Sequence, residues 1–305
     1  MTDVAAILRR RAQTGPRSPN ALRDDHAKIA LCIEGGAMRG VIAAGMVAAL
    51  EELGLTDAFD AVYGSSAGAI CGAYFLAGQA ALGARIFSED INNRRFSSRL
   101  RTFTRRPIVN LSYLVDDVMV SVKPLDAARV LASATPLTVV ATDVASASTA
   151  LLRDFVDGDE LLAALRAGAT MPIIAGPPHP FRGRRYFDAS LTEPVPLPSA
   201  DRAGFTHIVV LLTRPRGVPR AVSSFDRLVV GPRLARVSGQ LAERYLGRTA
   251  PYATLQDEIA SGRSARGAEV LGIRPDLTVS KLERNRSRLL AGAASGRAAV
   301  LAALK

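Results

Sequence analysis

Cysteine, histidine and lysine are all scarce in this chain of 305 residues, which holds two, three and four of them respectively. Two cysteines cannot form a disulfide framework. Cys32 and Cys71 both sit inside apolar runs, which reads them as small core residues of a protein kept in a reducing compartment. With so few histidines and no cluster of His, Cys, Asp and Glu at ligand spacing, no metal is expected, and no cofactor is implied. Long hydrophobic runs are lacking too. The nearest, 67–84, is interrupted only by Gln79. Alanine and glycine supply most of it, and their small transfer energies suit a buried helix rather than a membrane span. Residues 1–11 have neither the apolar stretch nor the small-residue cleavage site of a secretory signal, so a cytoplasmic protein is expected. Internal repeats and low-complexity tracts are also absent.

What is present is a foldable composition, 48% hydrophobic and 22% charged, with a formal net charge of +11. Arginine supplies 35 of the 39 basic residues, a balance that favours polyanions or anionic membranes as neighbours. Residues 1–27 are rich in Arg, Asp and Pro and read as an N-terminal tail with one short helix. From 28 onward, mostly apolar strands at 28–34, 60–63, 137–142, 149–153 and 206–213 alternate with helical patterns at 41–53, 69–77 and 159–167. The last has Asp157 or Asp159 near its start. Beyond 223 helices dominate, including 234–245 and 281–304. Strands alternating with helices imply a mainly parallel sheet covered on both faces.

Two glycine-rich turns carry the chemistry. Gly64-Ser65-Ser66-Ala67-Gly68 fits G-x-S-x-G and lies between a strand and an apolar helix, the setting in which a strained turn lifts a serine out of the sheet. Small flanking residues are needed because the backbone nearly folds on itself. A serine nucleophile also needs N–H donors for the oxyanion. Glu34-Gly35-Gly36-Ala37-Met38-Arg39-Gly40 offers side-chain-poor backbone at a helix N-terminus, where amides lack partners. A dinucleotide loop, with Asp57 or Asp60 as the ribose acid, fails on spacing because Ala37 replaces the second glycine of G-x-G-x-x-G. A Walker loop fails because no lysine follows the turn.

Together the motifs resemble those of patatin-like phospholipases, a family of lipid acyl hydrolases. The acid-G-G-G-x-R/K-G loop is matched by Glu34 to Gly40, and the serine elbow by Gly64 to Gly68. The aspartate motif is matched by Phe187-Asp188-Ala189-Ser190, followed by Pro194 and Pro196. Leu212-Thr213-Arg214-Pro215-Arg216-Gly217 is similar to bacterial members. The resemblance implies a three-layer α/β/α sandwich with a nucleophile elbow, occupying 28–305 as one hydrolase domain with a helical C-terminal portion. It makes Ser66 the nucleophile, Asp188 its base, Gly36 and Ala37, with Gly35, the oxyanion donors, and Arg39 a support for the loop. The chain departs from the pattern where Ala37 replaces the third glycine and Ala189 the glycine after the aspartate.

On the residues alone, a histidine base stays open, because the order Ser66, Asp188, His207 also suits the triad of α/β-hydrolases. His26 lies in the tail and His179 between two prolines. The implied function is hydrolysis of acyl esters in lipids. A soluble serine esterase or peptidase, and a non-catalytic lipid-binding protein, are the other readings. Finally, 91–106 holds Arg94, Arg95, Arg99, Arg101, Arg105 and Arg106 with no acid, which reads as a solvated face or a peripheral site for anionic headgroups. Nucleic acid is not expected as a partner, since no recognition motif accompanies the charge. Residues 88–112 are the expected cover for Ser66.

Overall fold

A computed structural model of the chain describes residues 4–13, 25–98, 100–101 and 106–304. Eight strands form one sheet: β1 (Ile29–Ile33), β2 (Ala61–Ser65), β3 (Leu137–Asp143), β4 (Ser148–Leu152), β5 (His179–Phe181), β6 (Arg184–Asp188), β7 (His207–Leu211) and β8 (Glu269–Ile273). Their order is β5-β6-β3-β2-β1-β7-β8, with β4 paired to β3 off this path. The run β3-β2-β1-β7-β8 is parallel throughout, while β4, β5 and β6 join by antiparallel pairing.

The central strands are buried along their whole length, which is why they read as continuous apolar runs rather than alternating ones. Alternation instead divides the core into two. Ile29, Leu31 and Ile33 of β1 face a layer containing the helices Gly40–Glu52, Ala67–Leu76, Gly158–Ala169 and Arg286–Leu304. Ala30 and Cys32 face the opposite layer, built from Leu197–Arg202 and Thr249–Ser261. The result is a three-layer α/β/α sandwich around a mainly parallel sheet. Cys32 and Cys71 are buried free thiols, and burial pushes the Cys71 thiol up to about 12.

Local signals explain some of the elements and packing explains others. The Asp157 carboxylate accepts from the Glu160 amide and so caps Gly158–Ala169. At the N-terminus, Val4–Gln13 is a helix whose Val4, Ala5, Ile7 and Leu8 are buried against the main core. Its Arg11 reaches Asp25 and Asp60 at 2.7 and 2.8 Å. The apolar window at 67–84 is two helices, Ala67–Leu76 and Ala80–Arg85, and among the described residues no helix is long and apolar enough to cross a membrane.

Three differences from the sequence reading have physical causes. The expected helix 234–245 is broken, because Ser238 accepts from the Leu241 amide and caps a new helix, Gly239–Gly247. The expected helix 281–304 begins only at Arg286, since the Asn285 side chain accepts from the Arg288 amide, leaving 281–285 as irregular chain. Glu269–Ile273, in a stretch read as helical, is the parallel edge strand β8.

The helices Gly40–Glu52 and Arg286–Leu304 meet backbone to backbone. A Cβ on Gly45 would lie 2.1 Å from the Ala293 carbonyl oxygen, and one on Gly296 would lie 2.1 Å from that of Ile42. No side chain fits between them.

Candidate active site

The C-terminal ends of β1, β2 and β7 open at one edge of the sheet, the end at which parallel α/β proteins collect ligands. Beyond β2 the chain turns sharply into Ala67–Leu76, and Ser66 at the corner takes φ 56 and ψ −128. That backbone is strained for any residue with a Cβ. The turn is tight on both sides: a Cβ on Gly64 would sit 2.3 Å from Ala69 Cα, and one on Gly68 would sit 2.4 Å from the Ile33 carbonyl oxygen. The small residues of the motif are therefore a steric requirement of the corner.

Beyond β1, the glycine-rich loop lies directly against this corner, since a Cβ on Gly35 would approach Ser66 Cβ to 2.7 Å. The Gly35 amide donates to the Pro194 carbonyl at 3.4 Å, and that of Met38 donates to the Lys281 carbonyl at 3.2 Å. Between them, the Gly36 and Ala37 amides have no acceptor among the described residues. Ala37 adopts φ 52, in the left-handed region where glycine is the usual occupant.

This conformation yields a stability prediction. Ala37→Gly removes a left-handed penalty of about 1–2 kcal/mol but frees the unfolded chain by about 0.4–1 kcal/mol. The variant is expected to gain about 0.5–1 kcal/mol, read as a higher urea midpoint at unchanged m-value.

The loop is braced from behind by the buried Glu34, whose carboxylate accepts from the Thr213 amide at 2.6 Å, the Thr213 hydroxyl at 2.9 Å and the Tyr252 hydroxyl at 3.0 Å. The buried Arg39 donates from Nε to the Thr213 hydroxyl at 3.2 Å. Burial lowers the Arg39 pKa, with the neighbouring Glu34 opposing that shift.

Asp188 arrives from the other direction, at the end of β6. Ser65 is paired with Val140, and Asp188 with Ala141. Ser66 and Asp188 thus stand at one level on either side of β3, their Cα atoms about 10 Å apart. The backbone of Asp188 is fixed by its amide donating to the Thr170 carbonyl and its carbonyl accepting from the Thr142 hydroxyl, each at 2.9 Å. Its Oδ1 accepts from the Ser190 amide at 2.7 Å. No hydrogen bond joins Ser66 to Asp188 among the described residues. Both line a cavity of about 480 Å³ whose walls include Ile70, Phe87, Leu111, Leu114 and Ile174. A smaller, polar recess shares Ser66, Asp188, Ala37 and Arg39 with it and adds Glu34, Gly35 and Gly36.

The histidine base is corrected by position. His207 pairs with Ile29 at the start of β1, whereas Gly64 pairs with Ile33 at its end. Ser66 is six residues further along the strand direction, about 20 Å away. His207 instead contacts the Thr206 hydroxyl at 2.8 Å and Glu269 at 3.8 Å. His179 lies on β5 and lines a separate cavity with Arg166, and His26 precedes β1. Among the residues lining either cavity at Ser66 there is no histidine. Groups of three or more His, Cys, Asp or Glu that could hold a metal are also absent among the described residues.

Within the basic segment, Arg95 reaches Asp117 at 2.7 Å and covers the Tyr113 ring, and Arg101 donates to the carbonyls of Arg94 and Arg95. Arg106 is exposed, as is Leu100, while Arg99 and Arg105 lie outside the described residues. Part of the expected cover does lie over the cavity, as Ile91, Phe96, Val109 and Leu111 line it. Arg220 and Lys281, which also line the recess, were missed by sequence reasoning because neither belongs to a motif and long-range topology brings them there.

A family model described as patatin-like phospholipase matches residues 31–201. No curated protein is matched. Among solved structures, human GIVD cytosolic phospholipase A2 in complex with methyl gamma-linolenyl fluorophosphonate is similar at 12% identity and a TM-score of 0.44. The alignment covers 99% of this chain and 62% of that one.

Proposed function

The chain belongs to the patatin-like phospholipase family, and from that membership together with the geometry at Ser66 we propose that it is a serine lipid acyl hydrolase working through a Ser66–Asp188 dyad. The observation that carries this reading is the strained Ser66 corner, which shares an apolar cavity with Asp188 and Ala37 and a smaller recess with those two and Gly36, the amides of Gly36 and Ala37 lacking acceptors among the described residues. Ser66 Oγ attacks the ester carbonyl while the Asp188 carboxylate takes its proton. The Gly36 and Ala37 amides hold the oxyanion, a contribution of roughly 3–4 kcal/mol per donor. Collapse expels the alcohol, which recovers the proton from Asp188, and water then releases the acyl group. The missing hydrogen bond between the two side chains is compatible with this role, because catalytic hydrogen bonds are often long before substrate binds. The Gly35 amide is committed to Pro194, so in this reading Gly35 serves by its close approach to Ser66. Arg39 supports the loop.

The lipid is met at an anionic surface by the basic segment, with Arg94, Arg101 and Arg106 facing the headgroups. The test is a substrate panel: anionic phospholipid vesicles, a soluble short ester and a peptide, with wild type and Ser66→Ala, alongside labelling by a fluorophosphonate probe. Turnover of the phospholipid and the ester, lost in Ser66→Ala, is expected, with salt weakening only the vesicle reaction. Peptide turnover alone would favour the peptidase. A protein that binds vesicles but takes no label would be a lipid binder.

A further inference from the structure

The apolar cavity leaves Ser66 along two helices at once. On Ala67–Leu76 its lining residues are Ala67, Ile70, Cys71 and Tyr74, and on Gly40–Glu52 they are Ala44 and Val47. Those spacings place each set on one helical face. Each helix leaves the C-terminal end of a parallel strand, β1 or β2, on the same side of the sheet, so the two run side by side. Their starts touch, since a Cβ on Gly40 would lie 2.7 Å from Ala67 Cβ. Val47 lies seven residues beyond Gly40 and Tyr74 eight beyond Ser66, depths of about 10 and 12 Å at a rise of about 1.5 Å per residue. Neither helix contributes a lining residue past these two. In the other direction the exposed Pro219, Ala221 and Ser223 line the cavity, so it opens there and is blind at Tyr74.

The blind end is firmly closed by Ala80 and Gly83. A Cβ on Gly83 would lie 2.6 Å from Tyr74 Cγ, so this short helix rests on the ring itself. The Tyr74 hydroxyl donates to the Lys123 carbonyl at 2.6 Å, and the Ala80 amide donates to the Glu51 carboxylate at 2.8 Å. The end wall is thus pinned from two sides. With the Tyr74 hydroxyl committed and the Cys71 thiol facing the Gly40 carbonyl at 3.8 Å, this lobe suits a plain hydrocarbon tail rather than a charged or hydroxylated one. Carbon bonds of about 1.5 Å meeting at about 111° advance an extended chain by about 1.25 Å per carbon. The lobe therefore holds about eight to ten carbons. Each carbon that enters exchanges water for an apolar wall, and one beyond the end meets a packed interior.

We propose that Val47, Tyr74, Ala80 and Gly83 are the stop of an acyl ruler, so that the chain is fastest on esters of medium-length acyl groups, about eight to ten carbons long. The proposal rests on the hydrolase reading above and names the acyl group it takes, whatever the alcohol.

The test is kcat/KM along p-nitrophenyl esters from butanoate to tetradecanoate, each kept below its aggregation concentration, with circular dichroism to confirm folding. Wild type is expected to peak at octanoate or decanoate and to be about tenfold lower or more at tetradecanoate. Ala44→Leu, which fills the lobe about 6 Å from its start, should move the peak to butanoate or hexanoate. Val47→Ala should do the opposite and raise dodecanoate relative to decanoate. A rate that keeps rising to tetradecanoate, or a peak that neither variant moves, overturns the ruler and leaves the hydrolase standing. If no ester is turned over and no fluorophosphonate is taken up, the hydrolase reading is what fails. Free fatty acids then read the ruler alone: the rise in Tm should grow from hexanoate to decanoate and shrink at tetradecanoate, with Ala44→Leu removing the decanoate maximum. A rise that keeps growing with length overturns it.

Discussion

Asp188→Asn is expected to lower kcat by about 10³–10⁴, toward the level of Ser66→Ala, because it keeps the shape of the side chain and removes the proton acceptor. The Ser66→Ala and Asp188→Asn losses should not add in the double variant, since a nucleophile and its base act as one unit. His207→Gln and His179→Gln should stay within several-fold of wild type. The former sits at the opposite end of the strands from Ser66, and the latter lines a different cavity. The measurement is kcat on a saturating soluble ester, with circular dichroism to confirm folding. A folded but inactive His207→Gln would sink the dyad, as would an Asp188→Asn variant near the wild-type rate.

Gly296→Val is expected to be the most destabilising single change, costing about 3 kcal/mol or more of a total that is about 5–15 kcal/mol for a typical domain. The reason is the backbone contact between Gly40–Glu52 and Arg286–Leu304, where the new Cβ would lie 2.1 Å from a carbonyl oxygen that cannot rotate away. The helices must separate. Because Gly40–Glu52 begins at the glycine-rich loop, separation also displaces the Gly36 and Ala37 amides. Urea unfolding should show the loss, and kcat should fall in whatever fraction remains folded. Gly239→Ala is the control, since a Cβ there meets nothing within 4 Å, and it should lie within about 0.5 kcal/mol of wild type.

The parts of the site that were legible in the sequence are those fixed by neighbouring residues. Gly64 and Gly68 are spaced as a serine corner needs them, and Ser66 has the positive φ such a corner imposes. The glycine-rich loop between β1 and its helix was legible for the same reason. Asp188 was visible through its motif, but its place beside Ser66 depends on β6 pairing antiparallel with β3, which no local pattern specifies. The β5–β6 hairpin did leave a trace, in that Arg182 and Gly183 take φ 43 and 71, as a tight hairpin turn demands. Lys281 was obscured because its segment continues the apolar periodicity of the last helix. The cap at Asn285 is what turns it into an irregular strap across the loop. The cations that line the recess come from the whole length of the chain: Arg39 follows β1, Arg214 follows β7, and Lys281 follows β8.

The brace from the C-terminal end also sets a schedule. Ser66 and its glycine-rich loop are made early, but the loop is held by the Lys281 carbonyl and its helix by Arg286–Leu304. β1 cannot gain its second neighbour until β7 exists. At typical rates of synthesis the interval between Ser66 and the last helix is on the order of ten seconds to a minute. Throughout that time a ribosome-bound chain carries the serine corner without the structure that arms it. Pairings this distant in sequence close late and slowly. If the proposed mechanism holds, a nascent chain is inert, and hydrolysis begins only when Arg286–Leu304 has docked against Gly40–Glu52.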